Sequence, residues 1–109
     1  MKIEIVDYKG MKVISPAGEI DMHSSPILRK EIMAFVGQRI TPLVVDLKEV
    51  TYIDSSGIAT FVEGLKGAMS YGGKLKLLGL APQIREIFSF SKLDKVFEIH
   101  SSADDIIQG

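Results

Sequence analysis

Thr51-Tyr52-Ile53-Asp54-Ser55-Ser56-Gly57 sets a carboxylate and two serine hydroxyls at the point where a hydrophobic strand gives way to an amphipathic helix. Upstream, Leu43, Val44 and Val45 run into Asp46 and Leu47, and a short polar link leads on to Asp54. Downstream, Ile58, Phe61, Val62, Leu65 and Met69 recur at helical spacing, which predicts a helix starting at Ser55 or Ser56. Such a helix has free backbone N–H groups and a positive dipole end beside the serine hydroxyls, a natural place to hold an anion.

Working outward, Tyr71-Gly72-Gly73 supplies glycines that can adopt the left-handed conformation closing this helix, and Lys74 to Leu80 returns as a strand. Strand, helix and strand within some forty residues make a βαβ unit with parallel pairing. Towards the N-terminus, Ser25 is the expected cap and Pro26 the first-turn residue of a helix whose stripe is Leu28, Ile32, Phe35 and Val36 and whose stop is Gly37. Before it, Ile3, Ile5 and Tyr8 alternate with polar residues, Lys9-Gly10 turns the chain, and Met11 to Glu19 forms the second arm of a hairpin. Pro16 removes a ladder donor from that arm, which predicts an edge strand or a bulge there. Towards the C-terminus, Pro82 opens a shorter helix with Ile84, Ile87 and Phe88 on one face; Val96 to Ile99 is the last strand, and Ser102 to Gln108 adds a turn of helix. The expected architecture is one α/β domain over residues 1–109, a mixed sheet of about five strands with packed helices, in which functional groups gather at the carboxyl ends of parallel strands.

Composition narrows the function. A chain of 109 residues supports one core and not two. Thirteen Lys and Arg against fourteen Asp and Glu give a formal charge of −1, so no basic footprint invites nucleic acid or anionic lipid. Without cysteine there is neither a disulfide framework nor a thiolate metal site. The charged opening Met-Lys-Ile-Glu-Ile-Val-Asp does not read as a signal peptide, and no apolar stretch reaches membrane-spanning length. The expectation is a cytoplasmic protein without cofactor, metal, nucleic acid or membrane partner.

Gly18-Glu19-Ile20-Asp21 followed by a helix, Val44-Val45-Asp46-Leu47 before Asp54-Ser55-Ser56-Gly57-Ile58, and Leu93 to Ile99 near the end together resemble the STAS domain family, the sulfate transporter and anti-sigma factor antagonist domains. The likeness spans nearly the whole chain, and a free-standing domain carrying Asp-Ser-Ser-Gly looks like a bacterial anti-sigma factor antagonist. The resemblance implies that Ser55 is phosphorylated by a partner that is both serine kinase and anti-sigma factor, and that a metal-dependent serine phosphatase removes the phosphate. It implies that the unphosphorylated form captures the anti-sigma factor and frees the sigma factor. Asp21, His23, Ser24, Asp54, Ser56 and Gly57 are the expected partner-binding residues, on a monomer or weak dimer. Pro16, Ser24 in place of the commoner threonine, and a short final helix depart from the family pattern.

Each feature has a plainer reading. Asp54 and Ser55 would cap any helix. Gly57 implies a close approach by sheet or by partner, and Gly64 and Gly67 allow close packing on either. Asp21 is also a solvated turn residue, and Asp21-Met22-His23 offers two metal ligands with no third. An enzyme is not expected: no Gly-X-Ser-X-Gly elbow surrounds Ser55 or Ser56, and His23 and His100 stand in no recognisable relation to them. Gly72-Gly73-Lys74 lacks the leading glycine of a phosphate loop, which is Ala68 here, and has Leu75 where magnesium needs Ser or Thr. The rival reading is a STAS adaptor that is not phosphorylated, a subunit of a lipid-transport complex or a stress-signalling scaffold.

Overall fold

The computed structural model describes residues 1–108. In chain order the elements are β1 (Lys2–Tyr8), β2 (Met11–Ile20), α1 (Ser25–Gly37), β3 (Leu43–Asp46), β4 (Val50–Ile53), α2 (Ser55–Met69), β5 (Leu75–Leu78), α3 (Pro82–Phe90), a single 3-10 turn (Leu93–Lys95), β6 (Glu98–His100) and α4 (Ala103–Gln108). The sheet has six strands in the order β1-β2-β3-β5-β6, with β4 joined to β2 off that path.

The hairpin forms as expected, in register from Lys2↔Ala17 to Tyr8↔Met11. Lys9 and Gly10 both take positive φ, the geometry of a two-residue turn that matches strand twist. Asp7 Oδ1 closes the turn by accepting from Gly10 N at 3.1 Å. Every other pairing is parallel: β2 with β3, β2 with β4, β3 with β5, and β5 with β6. All four residues of β3 are buried, the two-sided burial that its nearly continuous apolar run requires.

Pro16 corrects the expectation of an edge strand. Strand β2 lies inside the sheet, with β1 on one flank and, on the other, first β3 at Val13 and Ile14 and then β4 from Gly18 to Ile20. The proline falls in the gap between those two parallel partners, so its missing N–H costs no parallel ladder bond. The register irregularity lies further on, between Gly18 and Glu19.

Strand β4 occupies the stretch read as a polar link, which raises the count to six. The last strand is also shifted, to Glu98–His100: the 3-10 turn carries the chain to Val96, which is 56% exposed and caps that turn. Helix α1 does end at Gly37, but the left-handed residue closing it is Arg39. Gly72 takes the expected positive φ after α2.

One apolar layer, including Ile14, Ile20, Leu28, Ile32, Phe61 and Phe88, lies between the sheet and α1, α2 and α3. Phe88 packs edge-on against Phe97 with ring centres 5.7 Å apart, which ties α3 to the chain entering β6. A smaller cluster of Met11, Val13, Val44, Leu78 and Ile106 sits under α4. Among the described residues no helix is long and apolar enough to cross a membrane.

Candidate functional site

Strands β2 and β4 run side by side in the same direction, so their carboxyl ends deliver Asp21 and Asp54 to one place. The backbone stitches the two ends together where Asp54 N donates to Ile20 O at 3.0 Å. Asp54 keeps extended backbone geometry and caps α2, its Oδ1 accepting from Ser56 N at 2.9 Å, Gly57 N at 3.2 Å and Ser56 Oγ at 2.5 Å. Its carbonyl accepts from Ile58 N. The Ser56 hydroxyl, joined by backbone N–H groups, holds the Asp54 carboxyl below the usual carboxylate range against partial burial and the nearby charge of Asp21.

This cap changes the expected anion site. The Ser56 and Gly57 N–H groups, expected to be free, are already spent on Asp54. An anion on Ser55 would have to displace Asp54 to reach them.

The two serines differ in consequence. Ser56 is half-buried, and its hydroxyl lies between Asp54 Oδ1 and the Ser25 hydroxyl, which donates to it at 3.2 Å. Ser55 is exposed, and its hydroxyl makes no hydrogen bond within the described residues.

Gly57 is buried because there is no room beside it: a Cβ there would lie 2.7 Å from Ile20 Cγ2 and 2.9 Å from Ile53 Cγ2. The close approach is therefore made by the sheet. Gly67 faces α1, where a Cβ would meet Val36 at 2.8 Å, and Gly64 lies between α1 and the sheet, where a Cβ would meet Ile32 at 2.7 Å and Leu75 at 3.1 Å. Neither glycine is left open for a partner.

The loop before α1 is built on Asp21. Its Oδ1 accepts from His23 N at 2.9 Å and Ser24 N at 3.0 Å, and these bonds keep its pKa below the ordinary value. Ser24, and not Ser25, stands at the cap position of α1, but its hydroxyl is used differently from a helix cap: it donates to Glu19 O at 2.7 Å and accepts from Asp21 N at 2.9 Å. Ser25 lies one residue inside the helix and turns its hydroxyl to Ser56. The expected site residues thus share one end of the sheet in two roles. His23 and Ser55 are exposed, whereas Ser24 and Gly57 are buried and set the backbone. Among the described residues no three His, Asp or Glu side chains gather as a metal site.

Sequence reasoning missed a groove of about 540 Å³ beside Ser55, walled by Ile58 of α2 and by Glu86, Ile87 and Phe90 of α3. Phe90 is 91% exposed. Its spacing from Ile87 was the available signal, but in sequence the two merge with the core stripe of α3.

The STAS domain family model matches residues 2–106. The chain is 33% identical over 95 residues to the anti-sigma-B factor antagonist of Bacillus subtilis (strain 168), covering 87% of this chain and 86% of that protein. It superposes on the crystal structure of an anti-sigma factor antagonist from Mycobacterium paratuberculosis with TM-score 0.87 and 28% identity, covering 98% and 91% of the two chains. The Bacillus cell fate determinant SpoIIAA in its phosphorylated form has the same fold, with TM-score 0.75 and 22% identity over 98% of each chain. A family match over nearly its full length, together with a relative 33% identical over 87% of the chain, means that this chain belongs to the STAS domain family.

Proposed function

We propose that this STAS domain is an anti-sigma factor antagonist working in the cytoplasm by partner switching, with Ser55 as phosphoacceptor. Unphosphorylated, it captures an anti-sigma factor that is also a serine kinase, and the sigma factor goes free. Phosphorylation of Ser55 ends the capture, and a serine phosphatase restores it. The domain is the substrate of this chemistry and not its catalyst. Asp21 and His23 contribute to the docking surface, while Ser24, Asp54, Ser56 and Gly57 hold its shape.

The observation that carries this reading is the exposed, unengaged hydroxyl of Ser55 at the rim of an apolar groove, beside a second serine whose hydroxyl is fully committed. Relatives named anti-sigma-B factor antagonist support it. The electrostatics also support it: phosphoserine adds about −1.5 to −2 charge. Because the Ser56 and Gly57 N–H groups serve Asp54, they are not free to neutralise that charge, which faces whatever docks. A partner carboxylate about 6 Å away would be repelled by roughly 0.7 to 3 kcal/mol per unit charge, and about 1.4 kcal/mol is tenfold in affinity.

The test is incubation with the cognate anti-sigma kinase and ATP, followed by intact-mass measurement and peptide mapping. One phosphate on Ser55 is expected, and Ser55→Ala should bind the kinase without being released by ATP. A phosphate on another residue, or a Ser55→Ala protein that ATP still releases, overturns the assignment.

A further inference from the structure

We infer that the domain carries a second binding site, a cleft for a small organic cation, on the sheet face opposite α1, α2 and α3. The cleft measures about 680 Å³, a size suited to a small molecule, and shares Val13 and Leu78 with the cluster under α4. Asp46 ends β3, Leu78 ends β5 and Ser101 follows β6, so the cleft opens at the carboxyl ends of three neighbouring parallel strands. Open α/β sheets place their ligand crevices at such ends. This site is independent of the role given to Ser55.

Asp46 fixes the class of ligand. Its side chain is only 8% exposed, yet its ionic partner is Lys48 Nζ at 3.2 Å, on a side chain that is 66% exposed. Oδ1 is occupied by Lys48 N at 3.0 Å, which shapes the turn into β4; Oδ2 faces the lysine ammonium. A solvated, flexible lysine is a weakly held counter-ion, and a carboxylate oxygen can accept more than one donor. An ammonium or guanidinium group entering the cleft can therefore take its place. Val6, Val13, Ala17 and Leu78 offer an apolar bed for the rest of the molecule. Ser15 and Ser101 also line the cleft, and their hydroxyls make no hydrogen bond within the described residues, leaving both able to orient a ligand. Glu4 on the rim is paired with Lys2 at 3.5 Å, but Glu4, Asp46, Glu49 and Asp104 stand against only Lys2 and Lys48 around the cleft, a balance that disfavours an anion.

The test uses the full chain labelled with nitrogen-15, titrated with phenethylamine and tryptamine, and with indole-3-propionate as an aromatic probe of opposite charge. The amines should give saturable amide shifts at Val13, Ala17 and Leu78, and the acid none. Lys48→Met removes the competing ammonium and should tighten amine binding several-fold. Asp46→Asn retains an acceptor for Lys48 N and should weaken amine binding by about tenfold or more. Absence of saturable shifts with both amines, equal shifts with the acid, or a Lys48→Met protein that binds no tighter overturns the inference. The lysine variant decides the matter even if Asp46→Asn does not fold.

Discussion

The Ser56 hydroxyl lies 2.5 Å from Asp54 Oδ1, and this contact makes two adjacent serines chemically unlike. Ser56 also receives the Ser25 hydroxyl, so it joins α1 to the start of α2. Ser56→Ala should cost about 1 kcal/mol, the net worth of a hydrogen bond in folding. Ser55→Ala should fall within about 0.5 kcal/mol of the parent, as surface substitutions do. Urea denaturation of the two variants checks the contrast, and equal losses would show that the cap does not distinguish them.

Asp54 makes stability depend on acid. Its folded pKa lies below the ordinary 3.8, so the unfolded chain takes up the proton first as pH falls. The contribution is therefore complete above 3.8 and disappears as pH drops through the lower folded value. Asp54→Asn retains a side-chain oxygen but no charge. Thermal melts should show it less stable than the parent at neutral pH, with the gap closing as the pH falls below 3.8 and through the lower folded value. A gap of constant size across that range would mean that the charge of Asp54 contributes nothing.

Gly57→Ala sets two effects against each other. Alanine favours a helix by about 0.5 to 1 kcal/mol over glycine, whereas overfilling a packed site costs about 1 to 3 kcal/mol. The added Cβ would meet Ile20 Cγ2 at 2.7 Å, Ile53 Cγ2 at 2.9 Å and the Ile20 carbonyl at 3.3 Å, so backbone as well as side chain must shift. Packing should win, with a net loss of about 1 to 2 kcal/mol in a denaturant titration. Unchanged or increased stability would show that the sheet end yields easily.

These residues also show how far the sequence could be read. Helix α2 was visible because Asp54, the periodic apolar residues and Gly72 all act locally, whereas Ser55 as a phosphoacceptor came from the family resemblance, since local physics offers only a helix cap there. Strand β4 was hidden by its irregular pairing. Gly18 faces Val50 but Glu19 faces Tyr52, so Thr51 is an extra residue, and the buried positions become Val50 and Ile53. The alternation that marks a strand is lost over only four residues. The occupied N–H groups at α2 and the groove beside Ser55 were equally out of reach, since one depends on where a carboxylate turns and the other on where α3 lands.

Ser55→Asp should leave the architecture intact. Ser55 is exposed and opens a helix, where an added carboxylate is compatible with the positive end of the dipole. Circular dichroism and the melting midpoint should match the parent closely, while capture of the anti-sigma kinase falls. Loss of folded signal would mean that modification acts by unfolding and not at the interface.

Phe90 separates docking from folding most directly. Its ring is 91% exposed at the end of α3, whereas Phe88, two residues earlier, is fully buried against Phe61 and Phe97. Phe88→Ala should therefore cost about 3 to 5 kcal/mol of stability. Phe90→Ser should cost about 0.5 kcal/mol or less, because folding buries almost none of that ring. An aromatic ring at the mouth of a groove beside the phosphoacceptor is suited to be an anchor for the partner, and such anchors carry a large share of binding energy. Affinity of Phe90→Ser for the anti-sigma kinase, measured by calorimetry, should drop by about tenfold or more, equivalent to about 1.4 kcal/mol. Full affinity in a folded Phe90→Ser protein would move the docking surface away from α3 and towards the Asp21–Ser24 loop on the other side of Ser55.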